Sequence, residues 1–337
     1  MTNSDSNLLI RRSDYNDIKG ICELYDNKEP DIMQWVLSGS QDNQEELCSY
    51  VAINKQDEIV GHIGYVESKY RFNGSAFLGI HPIEWRVRSD CKGSIGFELI
   101  TKVTGSGDFN IIIGGTKEAQ FLYPILGFKK LDSALVYSRI INYSAFLVSA
   151  KSIKKKILTL RKAKKRISLR NKGYSGSDIS VQSVKMIDQK FHLAHSSSKL
   201  SILTDDSKTE WLIKCPVHDK YIIQVDVLSE KIGYAVLLYN SRTQTVRIIS
   251  IVSKQEDIEI YGLIIRGIIG FCKKIKAIDI NILSSNPVIT KAIERQDFYF
   301  LGEKSIFAKN NNRDALSRDA IKDIDLSYVE GDIGYRF

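Results

Sequence analysis

Residues 76–128 constrain the fold more than any other stretch. They begin AFLGIHPIEWRVRSDCKGSIGFELITKV and end IIIGGTKEAQFLYPILGF. The pattern predicts a strand over 76–88, with Pro82 marking a bulge or an edge position. The following helix places Ile95, Leu99 and Val103 on one face and stops at Gly105 and Gly107. Residues 109–113 are almost continuously apolar, as suits a fully buried strand. Between the first strand and the helix stands Lys92-Gly93-Ser94-Ile95-Gly96. Unpaired backbone N–H groups and the positive end of the helix dipole converge at such a junction. That combination suits an anion, most often a phosphate.

The flanks extend this unit. Residues 8–12 predict a strand, after which Ser13 or Asp14 caps a helix carrying Ile18, Ile21, Cys22 and Tyr25. Pro30 is expected to end that region and to leave DIMQWVLSGSQDNQEE as a loop. Trp35 in that loop is a candidate wall of a substrate pocket, with a core anchor as the alternative. Residues 50–53 and 59–65 bracket NKQDE and predict a hairpin. Gly114-Gly115-Thr116 turns into a last helix, and residues 131–141 return as a strand. The expected order is β, α, β, β, β, α, β, α, β.

A chain of 337 residues is long for a single core and predicts two domains. No apolar run approaches the roughly 20 residues that span a bilayer. The start MTNSDSNLLIRRSD has no apolar signal core, so a cytoplasmic protein is expected. The five cysteines are scattered without a CxxC pair, and the five histidines do not cluster with them, which speaks against disulfides and against a metal site. The net charge of +8 belongs to one segment, because residues 151–172 hold eleven Lys or Arg and no acid. A solvated linker helix is one reading of that segment; contact with an anionic membrane surface or an acidic partner is another. Nucleic acid is not expected, since no aromatic residues interleave with the charges.

The second half repeats the first faintly but in order. Trp35, Gly61 and Phe128 have counterparts in Trp211, Gly233 and Phe298, and DEIVGHIGYV aligns with SEKIGYAVLL. This predicts an α/β protein of two like domains, at 1–142 and 178–309, with a basic linker helix at 143–177 and a tail at 310–337.

The order of elements and these motifs resemble the GNAT superfamily of acyl-coenzyme A dependent N-acyltransferases. More narrowly, EWRVRSDCKGSIGFELI, the LGF closure and the tail LSYVEGDIGYRF resemble tandem GNAT-like proteins associated with bacterial surface-polysaccharide synthesis. The resemblance covers 8–140 well and 178–309 as a degenerate copy. It implies a mixed sheet, acetyl-coenzyme A or another acyl-coenzyme A as co-substrate, and no metal. Its pyrophosphate would rest on Gly93, Ser94, Ile95 and Gly96, with Lys92 and Arg88 adding charge. The loop is one residue shorter than the family pattern and has Ser94 amid its glycines. Glu84 is the first candidate for general base and His81 the second, with His81 also a candidate substrate-binding residue. Tyr123 stands where the family often keeps its thiolate-protonating tyrosine, although Pro124 follows it directly. Trp85 is a candidate wall of the acceptor site. In the second copy SKQEDIEIYG places Glu256, Asp257 and Glu259 where a phosphate would sit, so that half is not expected to hold coenzyme.

The implied function is acyl transfer to an amine or hydroxyl of a surface-polysaccharide precursor or lipid-linked saccharide, with peripheral contact at the inner face of the membrane. The alternatives are a non-catalytic GNAT-like scaffold in polysaccharide assembly and an aminoacyl transferase of the peptidoglycan cross-bridge type.

Overall fold

The computed structural model describes residues 8–26, 28–39, 47–91, 94–149, 179–188, 201–202, 210–212, 214–216 and 218–312, together with Leu316, Ile321, Ile324 and Leu326. Residues 150–177 of the predicted linker, Lys92, Gly93 and most of the tail lie outside the described residues.

The first half runs β1 (Leu9–Arg12), α1 (Ile18–Leu24), α2 (Pro30–Ser38), β2 (Ser49–Ile53), β3 (Ile59–Phe72), β4 (Ser75–Val87), α3 (Ile95–Thr104), β5 (Phe109–Ile113), α4 (Lys117–Leu122) and β6 (Lys129–Ile140). Asp14 starts the turn into α1 through a capping box with Asp17. Helix α2 was not expected. Pro30 occupies its first turn, where the missing N–H costs nothing, so this proline begins a helix instead of ending a region. Met33, Trp35, Val36 and Leu37 are all buried, and Gly39 at φ +62 ends the helix. After α5 (Tyr143–Ser149) come β7 (Ile179–Val184), β8 (Ser201–Ile202), β9 (Asp219–Val227), β10 (Glu230–Asn240), β11 (Thr245–Ser253), α6 (Ile258–Lys274), β12 (Asp279–Ser284), α7 (Pro287–Glu294) and β13 (Tyr299–Asn310).

Thirteen strands form one mixed sheet in the order β1-β2-β3-β4-β5-β13-β6-β12-β11-β10-β9-β7, with β8 beside β3. The order reads alike from both ends, and the last strand of each half lies within the other half. Strand β13 fills the place beside β5, with Ile306 opposite Ile113, and β6 fills the place beside β12, with Ile140 opposite Asp279. The two exchanged strands also pair with each other. Tyr299 faces Ser138 at one end, Ala308 faces Lys129 at the other, and Lys304 faces Ala134 between them. That register is symmetric about its middle.

Burial follows the same symmetry. On the face covered by α1 and α2, one apolar cluster crosses both halves, from Ile21, Met33 and Phe77 to Tyr234, Leu238 and Ile249. The buried tail residues Leu316, Ile321, Ile324 and Leu326 belong to it. At its centre Trp35 stacks on Trp211, with ring centroids 4.9 Å apart and 15° between planes. Each indole N–H donates to the other residue's carbonyl, at 2.7 and 2.9 Å. Both polar tips of this buried pair are thus satisfied. On the opposite face the helices cover separate clusters, α3 and α4 over one, α6 and α7 over the other.

Candidate functional site

Strands β4 and β5 are parallel neighbours over two residue pairs only, Gly79 with Phe109 and Ile80 with Asn110. Beyond them β5 continues along β13, and β4 has no further pairing on that side among the described residues. Two local features open this gap. Tyr65 faces Pro82, and the Tyr65 N–H turns away to the Cys48 carbonyl at 2.9 Å. The pair is therefore of the non-hydrogen-bonded type, and the ring nitrogen of Pro82 faces the gap, where it has no N–H to offer a strand. Two residues on, the β3–β4 register steps from Gly64–Ile83 to His62–Arg86, so Ile63 opposes both Glu84 and Trp85. This is a β-bulge, and Pro82, predicted as its mark, sits just before it. In the second half β11 and β12 stay paired over four residues, Thr245–Ile248 with Asp279–Ile282.

Glu84 stands in the bulge with φ +48. Its carboxylate is buried and lies 2.6 Å from the Lys28 ammonium, which comes from the α1–α2 turn. Lys28 and Arg86 both approach the Tyr25 ring, at 4.9 and 5.6 Å from its centroid, and Arg86 pairs with Asp26 at 2.9 Å. The Tyr25 hydroxyl donates to the Glu84 carbonyl. His62 Nδ1 lies 3.0 Å from that hydroxyl and 3.1 Å from the same carbonyl. Because the tyrosine proton goes to the carbonyl, the network assigns the imidazole proton to Nδ1 and leaves Nε2 a buried acceptor with no hydrogen-bond partner among the described residues. Burial, outweighing the attraction of Glu84, pulls the His62 pKa down to about 4, so the ring is neutral at pH 7. On this same face an open groove of about 880 Å³ runs between α1 and the ends of β3 and β4, past Lys19, Glu23, Asp26 and Arg86.

On the opposite face, Trp85 and Val87 meet the first turn of α3: a Cβ added at Gly96 would sit 3.4 Å from the Trp85 ring and 3.5 Å from Val87. Ile95 is buried against Gly61, whose own Cβ would meet Leu99 and Ile95. Ser94 is the N-cap of α3 but makes no capping bond to its amides, and its hydroxyl donates instead to Glu98. Helix α6 differs: the Asp257 carboxylate accepts from the N–H groups of Glu259 and Ile260. Glu259 in turn pairs with Arg295, and Glu256 accepts from Asn286. Those acids close the second helix end with protein groups.

Tyr123 is the C-cap of α4, in helical conformation at φ −56 and ψ −45. Pro124 therefore does not displace it; the helix simply ends before the proline. The ring is 3 % exposed and packs on Phe307 and Phe128, at 4.8 and 5.9 Å. Its hydroxyl lies against Gly115, where a Cβ would overlap it, and Gly115 has φ +99. Tyr123 thus closes on the end of β5.

Two expectations change in form. Arg88 donates to Glu58 at 3.0 Å and to Asp90 at 2.7 Å, which matches the guanidinium charge within the protein; Asn54 and then Arg88 hold the Glu58 carboxylate below its usual range, and Arg88 does so for Asp90. Trp35 lies on a helix, not in a loop, and its indole is engaged with Trp211. His81 is buried on the α1 face and hydrogen-bonds Tyr70 at 2.9 Å. Sequence reasoning missed Tyr25, Lys28 and His62 as parts of the site. The one available signal was Gly61-His62-Ile63-Gly64, where glycines on a strand bring other elements close and single out the histidine between them.

Neither a protein-family model nor a curated protein matches the sequence. Solved structures do. A GCN5-related N-acetyltransferase from Anabaena variabilis is similar at TM-score 0.57 and 10% identity, over 90% of this chain and 73% of that one. An Enterococcus faecalis protein described as a probable N-acyltransferase gives 0.58 and 8%, over 91% and 73%. Saccharomyces cerevisiae N-myristoyltransferase, in a structure with bound myristoyl-CoA and inhibitors, gives 0.57 and 10%, over 90% and 80%. The likeness extends over nearly the whole of the described sheet, and the chain carries the fold of the GCN5-related N-acetyltransferases.

Proposed function

We propose that the chain is an acyltransferase that uses acetyl-coenzyme A or another acyl-coenzyme A. The observation that carries this reading is the β4–β5 gap, with the bulged Glu84 on one side and the side-chain-uncapped end of α3 on the other. Pyrophosphate on the α3 amides around Ser94, Ile95 and Gly96 satisfies donors that the protein itself leaves without a side-chain cap. The pantetheine arm then follows the free edge of β4.

In the reaction the acceptor nitrogen or oxygen forms a bond to the thioester carbonyl carbon as the carbon–sulfur bond breaks. Glu84 takes the acceptor's proton, and Tyr123 supplies one to the departing thiolate. The groove beside α1 lies two residues from Glu84 at Arg86, and its mixed charged lining suits a polar acceptor such as a surface-polysaccharide precursor. We read the chain as a tandem pair in which the second half, with its amides capped by Asp257, supports the first and takes no coenzyme. The basic segment at 151–172 would bring the protein to an anionic membrane surface, and Lys154, Lys155 and Lys156 changed to Glu should then weaken liposome binding.

Thermal stabilisation by acetyl-CoA and by myristoyl-CoA tests the donor. A folded protein that gains no stability from millimolar amounts of either would sink the proposal. A second reading, a GNAT-like scaffold, is favoured by the pairing of Arg88 with Glu58 and Asp90. Coenzyme binding without thiol release in the presence of saccharide or amine acceptors would select it. Gly93→Asp should weaken coenzyme binding, because it sets a carboxylate against the pyrophosphate.

A further inference from the structure

Among the described residues, Glu84 is the one non-glycine residue with a left-handed φ inside a strand. The other such residues lie in turns or beyond helix ends, where left-handed backbone is common. A glutamate in that conformation is strained and persists only where surrounding structure holds it. Among the described residues, three groups hold this one. Lys28 takes the carboxylate at 2.6 Å, the Tyr25 hydroxyl donates to the carbonyl, and His62 Nδ1 lies 3.1 Å from the same carbonyl. Tyr25 comes from the end of α1 and His62 from the neighbouring strand, so the bulge is gripped from two directions. The ring of Tyr25 also stands edge-on to the imidazole, 5.6 Å away and at 86°.

We propose that Tyr25 and His62 are positioning residues for Glu84: by holding its carbonyl they fix the left-handed bulge and with it the place of the carboxylate, beside Lys28 on the α1 face, from which it serves the acceptor. The inference rests on the acyltransferase reading for its functional half and on geometry for its structural half. Neither residue needs to touch substrate. The neutral imidazole suits the task, since its Nδ1–H serves the carbonyl without bringing a second buried cation beside Lys28. The hydroxyl of Tyr25 has the same target and lies 3.0 Å from His62 Nδ1, so loss of either donor leaves the other at the carbonyl.

The test uses the full-length protein with Tyr25→Phe, which keeps the ring, and with His62→Asn and His62→Leu, of which Asn keeps a donor near the Nδ1 position. Two readouts separate the two halves of the idea. The first needs no substrate: the Glu84 amide–Hα coupling and Cβ chemical shift report a left-handed residue by NMR. They should mark Glu84 in the parent and in His62→Asn, and move toward extended values in Tyr25→Phe and His62→Leu. Should Leu unfold the chain, the Tyr25→Phe comparison decides alone. The second readout is thiol release from acetyl-CoA with glucosamine as added acceptor. Tyr25→Phe should lower kcat on the order of 10- to 100-fold, as expected for a misplaced catalytic group, while KM for acetyl-CoA stays within about twofold. Unchanged Glu84 signals in Tyr25→Phe overturn the clamp. A moved signal with unchanged kcat overturns its role in positioning. If the parent protein itself releases no thiol, the acyltransferase reading fails, and the clamp is judged on the NMR signal alone.

Discussion

A buried imidazole that stays neutral makes this protein sensitive to acid. His62 titrates near 6.5 in an unfolded chain but at about 4 in the native one, because burial disfavours its charged form. Between those values the unfolded state binds a proton that the native state refuses. The contribution is therefore complete above about pH 6.5 and declines as pH falls toward 4. Urea unfolding at pH 7 and pH 5 should differ by about 2 kcal/mol from this group, and His62→Gln should remove that part of the slope. An identical slope in parent and variant would refute the assignment. The neighbouring Glu84 offers a second comparison. Glycine accepts its φ of +48 and alanine does not, so Glu84→Gly should be more stable than Glu84→Ala by about 1 kcal/mol, although both lose the carboxylate. Equal unfolding midpoints would mean that the bulge relaxes freely.

At the scale of elements, the closure of α4 on β5 depends on one glycine. Gly115→Ala adds a Cβ that overlaps the Tyr123 hydroxyl at a φ of +99, so the ring must move. The variant should lose on the order of 1–3 kcal/mol of stability and most of its thiol release, with acetyl-CoA binding largely kept. Wild-type turnover in Gly115→Ala would remove Tyr123 from the mechanism. The strand and the helix that follow Ala76 were legible because apolar spacing acts locally. The acids at 256, 257 and 259 were legible in the sequence, and the structure shows the Asp257 carboxylate capping the amides of Glu259 and Ile260. Helix α2 was not legible. Proline serves equally to end one segment and to start a helix, and PDIMQWVLS has too few turns for its periodicity to decide. The Glu84 network was hidden for a different reason. Its partners lie 22 and 59 residues away in sequence and meet only after the bulge shifts the register.

At the scale of the whole molecule, the strand exchange ties the halves together more firmly than the basic segment between them could. The faint repeat in the sequence carried no sign that β6 lies beside β12 and β13 beside β5, because each strand's apolar pattern suits either slot. The symmetric register suggests what one half would do alone. Residues 1–142 lack β13, and a second copy's β6 is the natural substitute beside β5, so this fragment should form a homodimer in light scattering. A stable, folded monomer of that fragment would contradict the argument. The exchange also sets a schedule for synthesis. The partner of β5 leaves the ribosome about 190 residues after β5 itself. At the usual 5–20 residues per second, the nascent first half waits roughly 10–40 s with that edge open. During translation, the apolar strand that borders the candidate site is the part of the chain most in need of a chaperone.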